Sequence, residues 1–196
     1  MKKSYSLALF AALFVAASSL HATTVIPPSF DELVNRAEVI FQGSVTNVRS
    51  QWVGEGGQRH IVTYVTFQVN DPIKGNPGAT YTMRMLGGTV DGQTMEVSDS
   101  PKFKIGDRDF LFVEHNGRQF IPLVGIMHGR FRVEREQNGH EIVALNNGQP
   151  LSDVASLGKE EHGVSSEKAP LSPAQFKAAI QGRIQAGASS EGKERH

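Results

Sequence analysis

Between Val39 and Val143 apolar side chains recur at every second position, and glycine-bearing turns cut the runs short. Val39, Phe41 and Val45 mark a first strand, and Gly43 between them predicts a bend or bulge. Ile61, Val65, Phe67 and Val69 mark a second, with Tyr64, Thr66 and Gln68 on its other face. Tyr81, Met83 and Met85 mark a third. Phe110 and Phe112, Ile121 and Leu123, Phe131 and Val133, and Ile142 and Val143 supply the rest. Turn chemistry stands at Lys74-Gly75-Asn76-Pro77, Gly87-Gly88, Asp91-Gly92, Asn116-Gly117 and Asn138-Gly139. Many short strands with scarcely any helix bury their apolar faces best in a small β-barrel or sandwich.

Two stretches follow the helical period instead. Ser29-Phe30-Asp31-Glu32 is a capping box, predicting a short helix from Phe30 to about Ala37 with Phe30, Leu33 and Val34 on one face. Near the other end, Ser172-Pro173 predicts a cap and a first-turn proline. Phe176, Ala179, Ile180 and Ile184 then form an apolar stripe, which is expected to dock on the parent domain; a partner's groove is the alternative. Residues 152–171 between these parts are rich in Ser, Gly, Glu and Lys. The expected organisation is a leader over 1–22, a β-barrel domain over 23–150, a flexible linker over 151–171, a helix over 172–186 and a disordered tail over 187–196.

Residues Met1–Ala22 have the grammar of a cleavable secretory signal: Lys2 and Lys3, an apolar core from Leu7 to Ala17, and a small residue at Ala22. A membrane span needs about 20 apolar residues, and this core is roughly half that. Cleavage after Ala22 makes Thr23 the new N-terminus. The short start is bacterial in style, so the expected destination is the periplasm or the medium, with no membrane span left after removal of the leader. The chain has 20 basic and 20 acidic side chains. Losing Lys2 and Lys3 leaves a slight acidic excess, unlike the basic excess of a nucleic-acid binder. There is no cysteine, which excludes disulfides, thiolate metal sites and cysteine nucleophiles.

Catalytic signatures are scarce. The sequence has no zinc-peptidase helix motif, nucleophile elbow or phosphate loop. Gly54-Glu55-Gly56-Gly57 precedes a strand and reads as a hairpin tip. His60, His115, His128, His140 and His162 fall near turns, none with a second ligand at metal spacing on its own strand. His128 lies in Gly125-Ile126-Met127-His128-Gly129, where two glycines around an apolar pair predict close backbone approach. Ser165, Ser166 and Asp153 lie in the expected linker, which gives a triad no rigid support. No cofactor and no catalytic residue are assigned.

The run from Phe30 to Val45 (FDELVNRAEVIFQGSV) resembles the opening of the netrin-like, or tissue-inhibitor-of-metalloproteinase-like, domain. The likeness continues through a long second strand (Val62–Val69), the Lys74-Gly75 turn, a third strand, and a phrase running from Phe103 through Gly106 to Phe110-Leu111. It spans roughly Thr23 to Val133. The resemblance implies a closed or partly open OB-type β-barrel with a short N-terminal helix. It also implies an inhibitor or partner of a secreted zinc metallopeptidase that works through its mature N-terminus. Thr23, Thr24, Val25 and Ile26 then stand at the partner's zinc, with Thr24 at the residue entering the peptidase pocket, and Pro27 and Pro28 stiffen the arm. A catalytic zinc keeps an open position, which an α-amine and its carbonyl can fill in place of water. In that family cysteines staple the arm to the barrel; here Thr23 and Val25 stand in their places. Each unstapled residue costs on the order of 1–2 kcal/mol of backbone entropy to fix. The other readings are a cell-envelope module binding a protein or glycan through its loops (Ser50–Arg59, Gly87–Ser98), and an enzyme with a dispersed site.

Overall fold

The computed structural model describes residues 27–159 and 168–193. The expected leader, arm residues Thr23–Ile26, the middle of the expected linker and the last three residues lie outside the described residues.

The capping box forms as the sequence predicts. Ser29 Oγ accepts from the Glu32 N–H, and the Glu32 carboxylate accepts from the Ser29 N–H at 2.7 Å, starting α1 (Phe30–Arg36). Phe30, Leu33 and Val34 are buried. Lys74 Nζ donates to the Val34 and Asn35 carbonyls, occupying acceptors that the end of a helix leaves open.

The strands are β1 (Val39–Val53), β2 (His60–Lys74), β3 (Thr80–Leu86), β4 (Gly88–Val90), β5 (Gln93–Met95), β6 (Arg108–Val113), β7 (Arg130–Arg135) and β8 (Glu141–Leu145). Six form one antiparallel sheet in the order β3-β2-β1-β6-β7-β8, while β4 and β5 pair as a separate small hairpin. Flat, the fifteen residues of β1 would span about 50 Å. Three register shifts against β2 bend the pair, one of them between Gln42 and Gly43. A Cβ on Gly43 would stand 2.9 Å from the Phe41 ring and 3.0 Å from the Gln68 carbonyl, so the bulge needs glycine. The sheet curls far enough for the turn after β6 to reach the outer edge of β3. Asn116 Oδ1 accepts from the Arg84 N–H at 3.0 Å, Asn116 Nδ2 donates to the Thr82 carbonyl, and the Leu86 N–H donates to the Phe120 carbonyl. Among the described residues no strand ladder joins β3 to the far end of the sheet. The molecule is mainly β, with two α-helices among the described residues; the curled sheet meets the loop after β6 in place of a closing strand.

Both faces of the sheet are buried at its centre. Ile40, Phe110, Phe112, Phe131 and Val143 face the helices. Phe41, Val45, Val65, Phe67, Met83 and Leu111 form a second core, covered by Phe103, Ile121 and Leu123. Phe110-Leu111-Phe112-Val113 in β6 therefore reads as a continuous apolar run.

The C-terminal helix, α2 (Pro173–Lys193), belongs to this domain. Fully buried Phe176 stands among Phe30, Phe110, Phe112 and Phe131, with ring centroids 4.8–6.2 Å away. Ile180 is buried beside it, so the docked reading of the stripe holds.

Four expectations need correction. The helix runs to Lys193, not 186, so residues 187–193 of the expected tail are helical. Both ends of the expected linker are anchored: Leu151 donates to the Val143 carbonyl, Val143 to that of Leu171, and Leu171 to that of Leu151. Polar composition concealed those leucines, which complete the helix-side core and its backbone bonding. Ile121 and Leu123 lie in a loop with one isolated bridge, Val113 to Leu123; Pro122 within that run has no N–H for a ladder. Gly87-Gly88 leads directly into β4 instead of forming a simple turn.

Candidate functional site

Of the residues assigned to the arm, Pro27 and Pro28 are described, and they show how it joins the domain. Pro28 is buried. A Cβ on Gly125 would stand 2.9 Å from Pro28 Cγ, so the proline ring lies directly against that glycine backbone. A Cβ on Gly158 would stand 2.7 Å from Ser29 Cα and 3.2 Å from the Pro27 carbonyl. The arm root is thus clasped between two glycines distant in sequence, both at positive φ. Backbone packing and two rigid prolines hold this segment to the domain. The capping box then fixes the turn from arm into helix.

The loop beside the root is strained. Gly125 is left-handed (φ 64°), and Ile126 follows at φ 63°, a region that β-branched residues rarely enter and that costs on the order of 1–3 kcal/mol. Ile126 is exposed next to the arm root. Gly129 ends the loop, where a Cβ would stand 2.8 Å from the Val124 nitrogen and 2.9 Å from the Phe112 carbonyl. Both glycines therefore mark close approach, as the sequence predicted. Burial holds the His128 imidazole below its usual pKa, and the Asp99 charge opposes that in part.

A buried charge cluster anchors the strand after this loop. Arg130 donates to both carboxylate oxygens of Asp109, at 2.9 and 3.2 Å, to Asp107 at 2.8 Å and to the Lys102 carbonyl, while its guanidinium stacks 4.2 Å above the Phe103 ring. Burial pushes the Asp109 carboxyl up to about 6 against the opposing pull of Arg130. A polar cavity of about 160 Å³ borders the cluster, below the size of ordinary small-molecule sites.

Two other groupings were not legible in the sequence. His115 Nδ1 lies 2.7 Å from Glu38 Oε1, and the His115 N–H donates to Oε2, so both bonds hold the Glu38 carboxyl below its ordinary range. An open groove of about 580 Å³ lies between the β7–β8 turn and residues 169–174, with Glu136, His140 and Glu141 on its wall. Arg108 and Arg135 hold the Glu141 carboxylate in its ionised form, an acceptor already engaged. Among the described residues no three His, Asp or Glu side chains gather as a metal site, and no helix is long and apolar enough to cross a membrane. The structure therefore brings together Pro27, Pro28, Gly125, Ile126 and His128, while Thr23, Thr24, Val25 and Ile26 lie outside the described residues.

Comparison with known proteins finds no matching family, no matching curated protein and no matching solved structure.

Proposed function

We propose that the chain is an exported, non-catalytic binding protein on an OB-type barrel of the netrin-like kind. Its N-terminal arm and the Gly125–His128 loop form one partner-binding edge. The observation that carries this reading is the clasped arm root, in which Pro28 and Ser29 are held against Gly125 and Gly158. An arm that leaves the domain from a fixed point loses less entropy on binding. Strained, exposed Ile126 beside that point supports the same edge, since backbone strain gathers at binding sites. The sharper form of the proposal is a secreted zinc peptidase as partner, with the α-amine and carbonyl of Thr23 chelating its zinc.

The test uses mature protein starting at Thr23 and a copy carrying one extra alanine in front, assayed against zinc peptidases secreted by the source organism. Inhibition by the first and at least tenfold weaker inhibition by the second is the expected result. Equal inhibition by both, or none by either, rejects zinc chelation.

A further inference from the structure

The far half of the β1–β2 hairpin carries a second surface, independent of the arm. Arg49 pairs across the sheet with Tyr64, and Tyr64 with Arg84, so the three stand side by side on one face. With strands about 4.8 Å apart, the two arginine Cα atoms lie about 10 Å from each other, with a half-buried phenol between them. One row away on that face come Asn47, Thr66 and Thr82, the two threonine hydroxyls 3.0 Å apart. Gln51 and Val62 follow on the other side, then His60.

Arg84 Nη2 lies 3.5 Å from His60 Nε2, and His60 Nδ1 lies 3.0 Å from the Gln58 carbonyl. The ring therefore carries its proton on Nδ1 and accepts from Arg84. This turns the Arg84 guanidinium along the hairpin towards His60; Val62, on the same face and paired with Leu86, is fully buried. On the opposite face of the hairpin, where Trp52 pairs with Ile61, the Arg59 guanidinium stacks 4.7 Å from the Trp52 ring.

This face carries charge without counter-charge. Arg36, Arg108, Arg130, Arg132, Arg135 and Arg183 each hold a carboxylate. Among the described residues Arg49 and Arg84, neighbours of Tyr64 on this face, hold none. Glu55, exposed at the hairpin tip, is the one acid in the connecting turn.

We propose that this face binds an anionic polysaccharide, with Arg49 and Arg84 taking two acidic groups and Tyr64 offering its ring to the sugar between them. The polymer is favoured over an acidic peptide on two grounds. A peptide adding to the sheet needs a free edge, and the β3 edge is occupied at Arg84 and Leu86 by Asn116 and Phe120. Around the cations the face presents the Tyr64 phenol and the hydroxyl and amide groups of Thr66, Thr82, Asn47 and Gln51, which suit a polyol better than apolar peptide side chains. An aromatic ring, planar guanidiniums and short polar side chains on one sheet face fit a polyol bearing carboxylates.

The test measures binding of the full mature chain to immobilised polygalacturonate, dextran and poly-L-glutamate at 50 and 200 mM salt. Binding to polygalacturonate that weakens at the higher salt is expected, with none to dextran and at least tenfold weaker binding to poly-L-glutamate. The R49Q/R84Q double variant should lose at least tenfold on polygalacturonate. Arg49→Gln alone, at an exposed side chain with no partner, should lose at least threefold with unchanged thermal unfolding, which separates binding from folding. Equal binding by wild type and Arg49→Gln, equal or tighter binding to poly-L-glutamate, or no binding to polygalacturonate overturns the proposal.

Discussion

The two halves of β1 are built on opposite terms. Around its first residues every requirement of folding is met: Ile40 and Phe41 are fully buried on opposite faces, and the neighbouring charges are paired. Arg36 holds Glu114, Lys177 holds Asp71, and Arg183 holds Asp31. Around its last residues the inner face is still packed, yet Arg49 stands exposed without a partner and Arg84 holds only a histidine. No carboxylate among the described residues pairs with those cations. The contrast separates a half that makes the domain, and anchors the arm, from a half whose outer surface is free to serve something else.

The comparison breaks most readily at the helix-side core. Phe176→Ala removes the ring at the centre of four others and should destabilise by about 3–5 kcal/mol, read by urea unfolding. Loss of under 1 kcal/mol would mean that α2 is an appendage and that the near half does not depend on it.

The buried charge cluster gives a pH signature. Asp109 titrates at about 6 in the folded chain, above its ordinary value of 3.8. The folded state therefore binds the extra proton between those values. The contribution is fully present below about pH 4 and is lost as pH rises through about 6. The stability difference between wild type and Asp109→Asn should fall over that window, and a flat difference from pH 4 to 7 would contradict it.

Smaller effects test the seams. Asn116→Ala leaves the Arg84 N–H without its acceptor and should lower stability by about 1–3 kcal/mol. Ser29→Ala removes the cap of α1 and should lower it by about 1 kcal/mol. Arg49→Gln should change unfolding by less than about 0.5 kcal/mol. A large loss there would return the far half to a structural role.

What was legible in the sequence was what neighbours decide. The capping box at Ser29, the bulge at Gly43, the alternation in β2 and the apolar stripe of α2 each rest on residues a few positions apart. Distant partners were not legible. Asn116 imitates a strand for an edge 32 residues away, and Glu38 meets His115 across 77. Neither pairing leaves a periodic trace. The linker misled for a related reason: three leucines, Leu151, Leu157 and Leu171, join the helix-side core from polar surroundings whose average hides them. The arm root was half legible. Two prolines predicted stiffness, and the glycines of the Gly125–Gly129 loop predicted close approach, but nothing local says that Pro28 is what approaches Gly125.

That clasp is the central claim, and the order parameters of the Pro27 and Pro28 Cα–H bonds test it most directly. The account predicts values near 0.85 at both, equal to the rigid core, in a chain starting at Thr23 without any partner. Values below about 0.6 would show an arm that is loose down to its root and would contradict it.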